Sequence, residues 1–221
     1  MELSYFNYFQ YAALISSLIF FKGLRRYQAS AMIPLMLVVC IVETLSKILK
    51  AYYGFTNNHF LYNIYIVSST PLYFYMFYNF LDPKGKFKKI YVGVSLSVTI
   101  LFFYNLFFFE GFFRFNTLAI IFQQFFTTLL SVFLLFRLAT SQAYFKLSSH
   151  PYFWIAAGIL IFSMGTLVVL GLNQYIRINN LTIVNKSLYR AIMPVLNVIL
   201  YSSFTYAFYL CAQKKKLYLP L

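Results

Sequence analysis

Apolar residues in this chain run in long blocks, and polar residues collect in the short gaps between them. A helix that crosses a bilayer needs roughly 20 mostly apolar residues at about 1.5 Å each. Seven blocks meet that length, near residues 4–21, 31–53, 60–81, 90–109, 116–136, 151–172 and 187–211. The pattern predicts an all-α fold, a polytopic membrane bundle of seven transmembrane helices. The gaps are too short to fold alone, so residues 1–221 are expected to form a single transmembrane domain with no soluble domain.

The gaps carry chemical stop signals. Gly54 follows the second block where a left-handed cap is wanted. Asp82-Pro83-Lys84-Gly85 is a turn that cannot continue the third helix. Glu110-Gly111 ends the fourth, and Pro151 opens the sixth at a first-turn position where its missing N–H costs nothing. The first block is preceded only by Met1-Glu2, with no positive charge ahead of it, so it reads as an anchor rather than a cleaved signal.

Composition fits this picture. The chain is 62% hydrophobic and only 10% charged, against about 25% charged in a soluble domain. The net charge is +14. It does not imply nucleic acid, because the cations sit in short clusters between apolar blocks and no basic domain exists to hold them.

Those clusters orient the bundle. One side receives twelve cations: Lys22, Arg25, Arg26, Lys84, Lys86, Lys88, Lys89, Arg137, Lys146, Lys214, Lys215 and Lys216. The other receives Arg114, Arg177, Lys186 and Arg190. The twelve-cation side is expected to be cytoplasmic, with the N-terminus out, the C-terminus in, and anionic phospholipids of the bilayer at the basic loops. Tyrosines near block ends, Tyr62 among them, read as interfacial aromatic belts.

Candidate chemistry concentrates in the outer halves of the blocks. Glu43, Lys47 and Lys50 follow an i, i+4, i+7 spacing and share one face of the second helix. Glu43 lies about 15 Å from that helix's outer end. An ionisable group at such depth is expensive and should face the bundle interior. Glu43 and Lys47 can neutralise each other, as a functional or a purely structural pair. Asn63, Gln123 and Asn197 supply polar groups at similar depth from the third, fifth and seventh blocks, with Arg190 nearer the surface. Glu43, Lys47, Asn63, Gln123, Arg190 and Asn197 are therefore the candidate ligand-binding residues. The alternative for single polar groups is interhelical glue. Pro71 and Pro194 interrupt two of the same blocks and permit kinks that widen a cavity.

Other chemistries fail. His59 and His150 fall on opposite sides of the membrane, so no metal site is expected, and no cofactor. A single intramembrane carboxylate, Glu43, excludes an aspartyl pair and leaves an enzyme reading thin. Cys40 and Cys211 read as small buried hydrophobes, with palmitoylation of Cys211 the alternative. The sequons at Asn180 and Asn185 are assigned no function.

In topology and texture the chain resembles the seven-helix membrane sensor modules of bacterial histidine kinases and small uncharacterised bacterial membrane proteins. The resemblance spans most of the chain and transfers no residue. It implies a bacterial inner membrane and a sensor-like role. The last helix has no mid-helix lysine, unlike retinal-binding rhodopsins, and Asn197-Val198-Ile199-Leu200-Tyr201 lacks the proline of the receptor motif whose spacing it shares. The sequence thus points to a ligand-binding or sensor-like membrane protein with an outward polar pocket for an anionic or amphiphilic molecule, acting through a membrane protein partner or a second copy. A transporter is the second reading, and it requires an inner polar lining from Ser95, Ser97, Thr99, Ser202, Ser203 and Thr205. A lipid-modifying enzyme using Glu43 is the third.

Overall fold

The computed structural model describes residues 4–54, 57–82, 85–86, 88–140, 146–178 and 182–213, with backbone alone at 110, 173–178 and 182–190. All regular structure among them is helical. The helices are α1 (Tyr5–Ile19), α2 (Phe21–Arg26), α3 (Met32–Tyr53), α4 (His59–Leu81), α5 (Lys88–Asn105), α6 (Thr117–Thr140), α7 (Pro151–Ile178) and α8 (Thr182–Ala212). A π-helical turn, Leu106–Glu110, extends α5, and a 3₁₀ turn, Leu147–Ser149, precedes α7.

Among the described residues, five helical segments are long and apolar enough to cross a membrane: Met32–Tyr53, Lys88–Phe109, Thr117–Thr140, Pro151–Leu172 and Ala191–Ala212. Two of the seven expected spans fall short of that length and hydropathy. The first block does not form one helix, because α1 ends at Ile19, the chain bends at Phe20, and α2 follows. The third block forms a helix of 23 residues, α4, but tyrosine, asparagine and hydroxyl side chains make it too polar by composition.

Several ends follow the sequence. Gly54 caps α3 in the left-handed region at φ 64°, Gly111 closes the π turn at φ 83°, and Pro151 is the first residue of α7. One end does not announce itself. α2 closes with Ala29 N–H donating to the Leu24 carbonyl (2.8 Å) and Gln28 N–H to the Arg25 carbonyl (3.2 Å), a Schellman pattern. Gln28 occupies its left-handed position at φ 53°. Of the Asp82-to-Gly85 turn, Pro83 and Lys84 lie outside the described residues. The Asp82 carboxylate accepts the Lys86 N–H at 3.1 Å.

The chain divides into two compact units. The first is built on Ser17–Gln123. In it α4 packs against α3 on one side and α5 on the other. Met76, Phe77 and Phe80 of α4 and Met32, Leu35 and Met36 of α3 are fully buried. α5 is the least covered helix here, with only Val98 and Phe102 buried.

The second unit is built on Leu3–Ser16 and Gln124–Pro220. Its spine is α7 against α8, closely apposed at two glycines. A β-carbon on Gly158 would stand 2.8 Å from Ser203 Cβ, and one on Gly165 would stand 2.7 Å from both Leu196 methyls. Trp154 and Tyr206 meet edge to face with centroids 4.9 Å apart. The Thr128 hydroxyl donates to Ser163 at 2.8 Å, joining α6 to α7. Cys40 and Cys211, one in each unit, are both buried and form no disulfide. His150 is fully buried ahead of α7, and its Nδ1 accepts the Tyr152 N–H at 3.2 Å, as a helix cap does. Burial pushes its pKa down to about 4.

Candidate functional site

Four of the six candidate residues, Glu43, Lys47, Asn63 and Gln123, belong to the first unit, and Arg190 and Asn197 to the second. The side chain of Arg190 lies outside the described residues.

α3 has a well-defined inner face. Its buried side chains Leu35, Met36, Val39, Cys40, Val42 and Ser46 span about 160° of the helix at about 100° per residue. Leu37, Ile41 and Leu45, on the far side, are exposed. Glu43, Lys47 and Lys50 all fall within the buried arc. Yet Glu43 and Lys47 are only half-buried, and Lys50, near the helix end, is exposed. Neighbours in the same arc, Val42 and Ser46, are closed over. The inner face of α3 is therefore less completely covered at Glu43 and Lys47 than at Val42 and Ser46.

The carboxylate of Glu43 accepts a hydrogen bond from Tyr62 Oη of α4 at 3.3 Å and interacts electrostatically with Lys47, one turn away. Tyr65, one turn beyond Tyr62, also lies in the field of Glu43 and shares hydrogen bonds with Ser69 and Tyr73. Gln123 extends the series. Buried at the start of α6, it donates from Nε2 to Ser69 Oγ (2.8 Å) and Thr70 Oγ1 (3.0 Å). Glu43, Tyr62, Tyr65, Ser69, Thr70 and Gln123 thus form one polar track across α3, α4 and α6. It passes beside Pro71, whose ring removes a backbone donor from the middle of α4.

Asn63 does something different. Its Nδ2 donates to the carbonyls of Phe112 (2.9 Å) and Arg114 (2.7 Å), and its Oδ1 accepts the N–H of Asn116 (3.1 Å). Asn116 in turn caps α6, accepting the Ala119 N–H at 3.0 Å and the Asn105 amide at 2.8 Å through its Oδ1. These three asparagines tie the segment between α5 and α6 to α4. Nearby, the Asn58 amide donates to Ser46 Oγ, joining the start of α4 to α3. In the second unit, Asn197 donates to the Met193 carbonyl of its own helix at 2.9 Å.

Tyr62 and Tyr65 were missed as site residues. A tyrosine that meets a buried carboxylate looks in sequence like a tyrosine at the interface. The usable signal was the i, i+3, i+7 stripe of Tyr62, Tyr65 and Ser69 on one face of α4.

Among the described residues no cluster of histidine, cysteine and acidic side chains could hold a metal ion. Compared with family models, curated proteins and solved structures, the chain matches none.

Proposed function

We propose that this chain is a seven-span membrane protein, N-terminus outside, that binds a small anionic or amphiphilic molecule at an outward-facing polar pocket and passes that state to a partner. The observation that carries the reading is the contrast on α3. Glu43 and Lys47 lie within the buried arc and are nevertheless only partly covered. Charges at such depth are costly to hold unless something polar reaches them. In this reading α4 is the polar span at the centre of the first unit, and α1 is a short seventh crossing. Asn63 and Gln123 shape the wall.

Transport is less well supported. It needs an inner polar lining, but Thr99 and Thr205 donate to carbonyls of their own helices, Ser95 and Tyr201, at 2.8 Å each. A lipid-modifying enzyme would need a second reactive group beside Glu43, and the neighbours found are Tyr62, Tyr65 and Lys47.

The orientation places Lys22, Arg25, Arg26, Lys86, Lys88 and Lys89, all exposed, at the anionic headgroups of the inner leaflet of a bacterial cytoplasmic membrane. The sparsely covered α5 offers a face for a membrane protein partner or a second copy.

Labelling with a membrane-impermeant maleimide tests the reading, in a Cys40→Ala, Cys211→Ala background. Lys47→Cys should react from the outside and Thr205→Cys should not. Reaction of Lys47→Cys only from the inside, or from neither side, overturns it.

A further inference from the structure

We infer that the molecule bound at Glu43 and Lys47 is a zwitterion, carrying an ammonium group as well as its anionic group. This rests on the pocket proposed above and adds a charge requirement to it.

The argument is one of charge balance. Glu43 and Lys47 sum to zero, and they lie one turn apart on a single face, with β-carbons about 5–6 Å apart. Lys50 stands at the exposed end of the helix, where water and headgroups screen it. An anion alone, bound beside Glu43 and Lys47, would leave a net negative charge about 15 Å from the helix end, where solvation is poor. A ligand bearing both charges leaves the total at zero. Its ammonium takes the face of the carboxylate not used by Tyr62, and its anionic group takes Lys47. One ion pair becomes two, and no charge is left uncompensated.

The geometry around the carboxylate agrees. The hydrogen bond from Tyr62 goes to Oε1, and an ionised carboxylate offers about four lone-pair sites on two oxygens. The groups facing Glu43 from α4 are phenols, Tyr62 and Tyr65. They supply hydroxyl oxygen and aromatic faces, both of which suit an ammonium. The amide most suited to an anion, Asn63, is committed to two backbone carbonyls and one backbone N–H.

This chemistry has two natural sources, a free amino acid and an aminophospholipid headgroup. Calorimetric titration of the full chain in an uncharged maltoside micelle separates them. L-leucine is compared with its two half-charged analogues, 4-methylpentanoate and 3-methylbutylamine. Dihexanoyl phosphatidylethanolamine is compared with dihexanoyl phosphatidylglycerol. Binding of leucine or of the phosphatidylethanolamine, with the matched single-charge compounds at least about tenfold weaker, supports the inference and names the source. Glu43→Gln keeps the shape and an acceptor for Tyr62, and should abolish that preference. Because the analogues make the comparison on the unaltered protein, the test does not depend on any variant folding. If 4-methylpentanoate or the phosphatidylglycerol binds as tightly and Glu43→Gln changes nothing, the zwitterion is overturned and the anion-binding pocket stands. If no compound binds, the zwitterion is overturned as well, and the maleimide reaction of Lys47→Cys decides the fate of the pocket.

Discussion

Replacing Gly158 by alanine places one methyl group in the seam between α7 and α8. The added carbon would stand 2.8 Å from Ser203 Cβ and 3.2 Å from Ser203 Oγ. Carbon pairs are comfortable at about 3.5–4.0 Å, and Ser203 Cβ is fixed to its backbone, so no rotamer relieves the clash. The helices must separate locally by somewhat under about 1 Å, a gap that forfeits a quarter to a half of the dispersion energy of the affected contacts. Overpacking of this kind costs about 1–3 kcal/mol, and the better helix propensity of alanine returns about 1 kcal/mol. Gly165 is the internal control. Its added methyl would meet the Leu196 side chain, with the two methyls at 2.7 Å and Cγ at 3.2 Å, and a leucine end can swing away. Gly165→Ala should therefore match or slightly exceed the parent, and Gly158→Ala should lie up to about 2 kcal/mol below it. Equilibrium unfolding by dodecyl sulfate in mixed micelles reads both. Ser203→Gly removes the opposing carbon, so the pair Gly158→Ala with Ser203→Gly should be more stable than additivity allows. Gly158→Ala as stable as Gly165→Ala, or an additive double mutant, would refute the reasoning.

Three further outcomes are expected. His150 has a pKa depressed from 6.5 to about 4 in the folded protein, so the unfolded chain binds the extra proton between those values. Its contribution is complete above about pH 6.5 and is lost as pH falls toward 4, by at most about 3 kcal/mol at 1.36 kcal/mol per pKa unit. In unfolding curves across that range, His150→Asn should flatten the pH dependence relative to the parent, and identical slopes would defeat the assignment. Asn63→Ala should lower stability by about 3 kcal/mol in the same unfolding assay, because two carbonyls and one N–H lose their partner; a stable Asn63→Ala with altered ligand affinity would instead make Asn63 a binding residue. Gln28→Gly should raise stability by about 1 kcal/mol, since a left-handed φ is costly for a side chain with a β-carbon, and a melting temperature below that of the parent would contradict it.

What could be read from the sequence was whatever local chemistry enforces. Helix existence followed from the apolar blocks, and the ends at Gly54, Gly111 and Pro151 followed from the backbone freedom or missing donor of those residues. The break between α1 and α2 was hidden because the apolar block runs through Phe20 without a punctuating residue. The turn at Gln28 was hidden because glutamine carries no preference for the left-handed position it takes. The polar character of α4 is hard to read because tyrosine carries an apolar ring and a polar oxygen. Its phenol oxygens are what give it its place in the polar track.

The same distinction separates the candidate residues from one another. Depth along a helix is legible in a sequence, but hydrogen-bond commitment is not, because partners come from distant segments. Asn63 and Glu43 looked alike as polar groups in the outer halves of apolar blocks. Asn63 finds its partners at Phe112, Arg114 and Asn116, about fifty residues on. Those bonds consume both amide donors and hold a connection in place. Glu43 keeps partial exposure and a carboxylate with acceptor capacity beyond its bond from Tyr62. A residue whose polar atoms are spent on the backbone stabilises the wall of a site. A charged residue held open on an otherwise buried face is where a ligand gains most, because it replaces poor solvation with a partner of opposite charge. On that criterion the proposed ligand would gain most of its binding energy on α3 beside Tyr62, with Asn63 and Gln123 fixing the geometry around it.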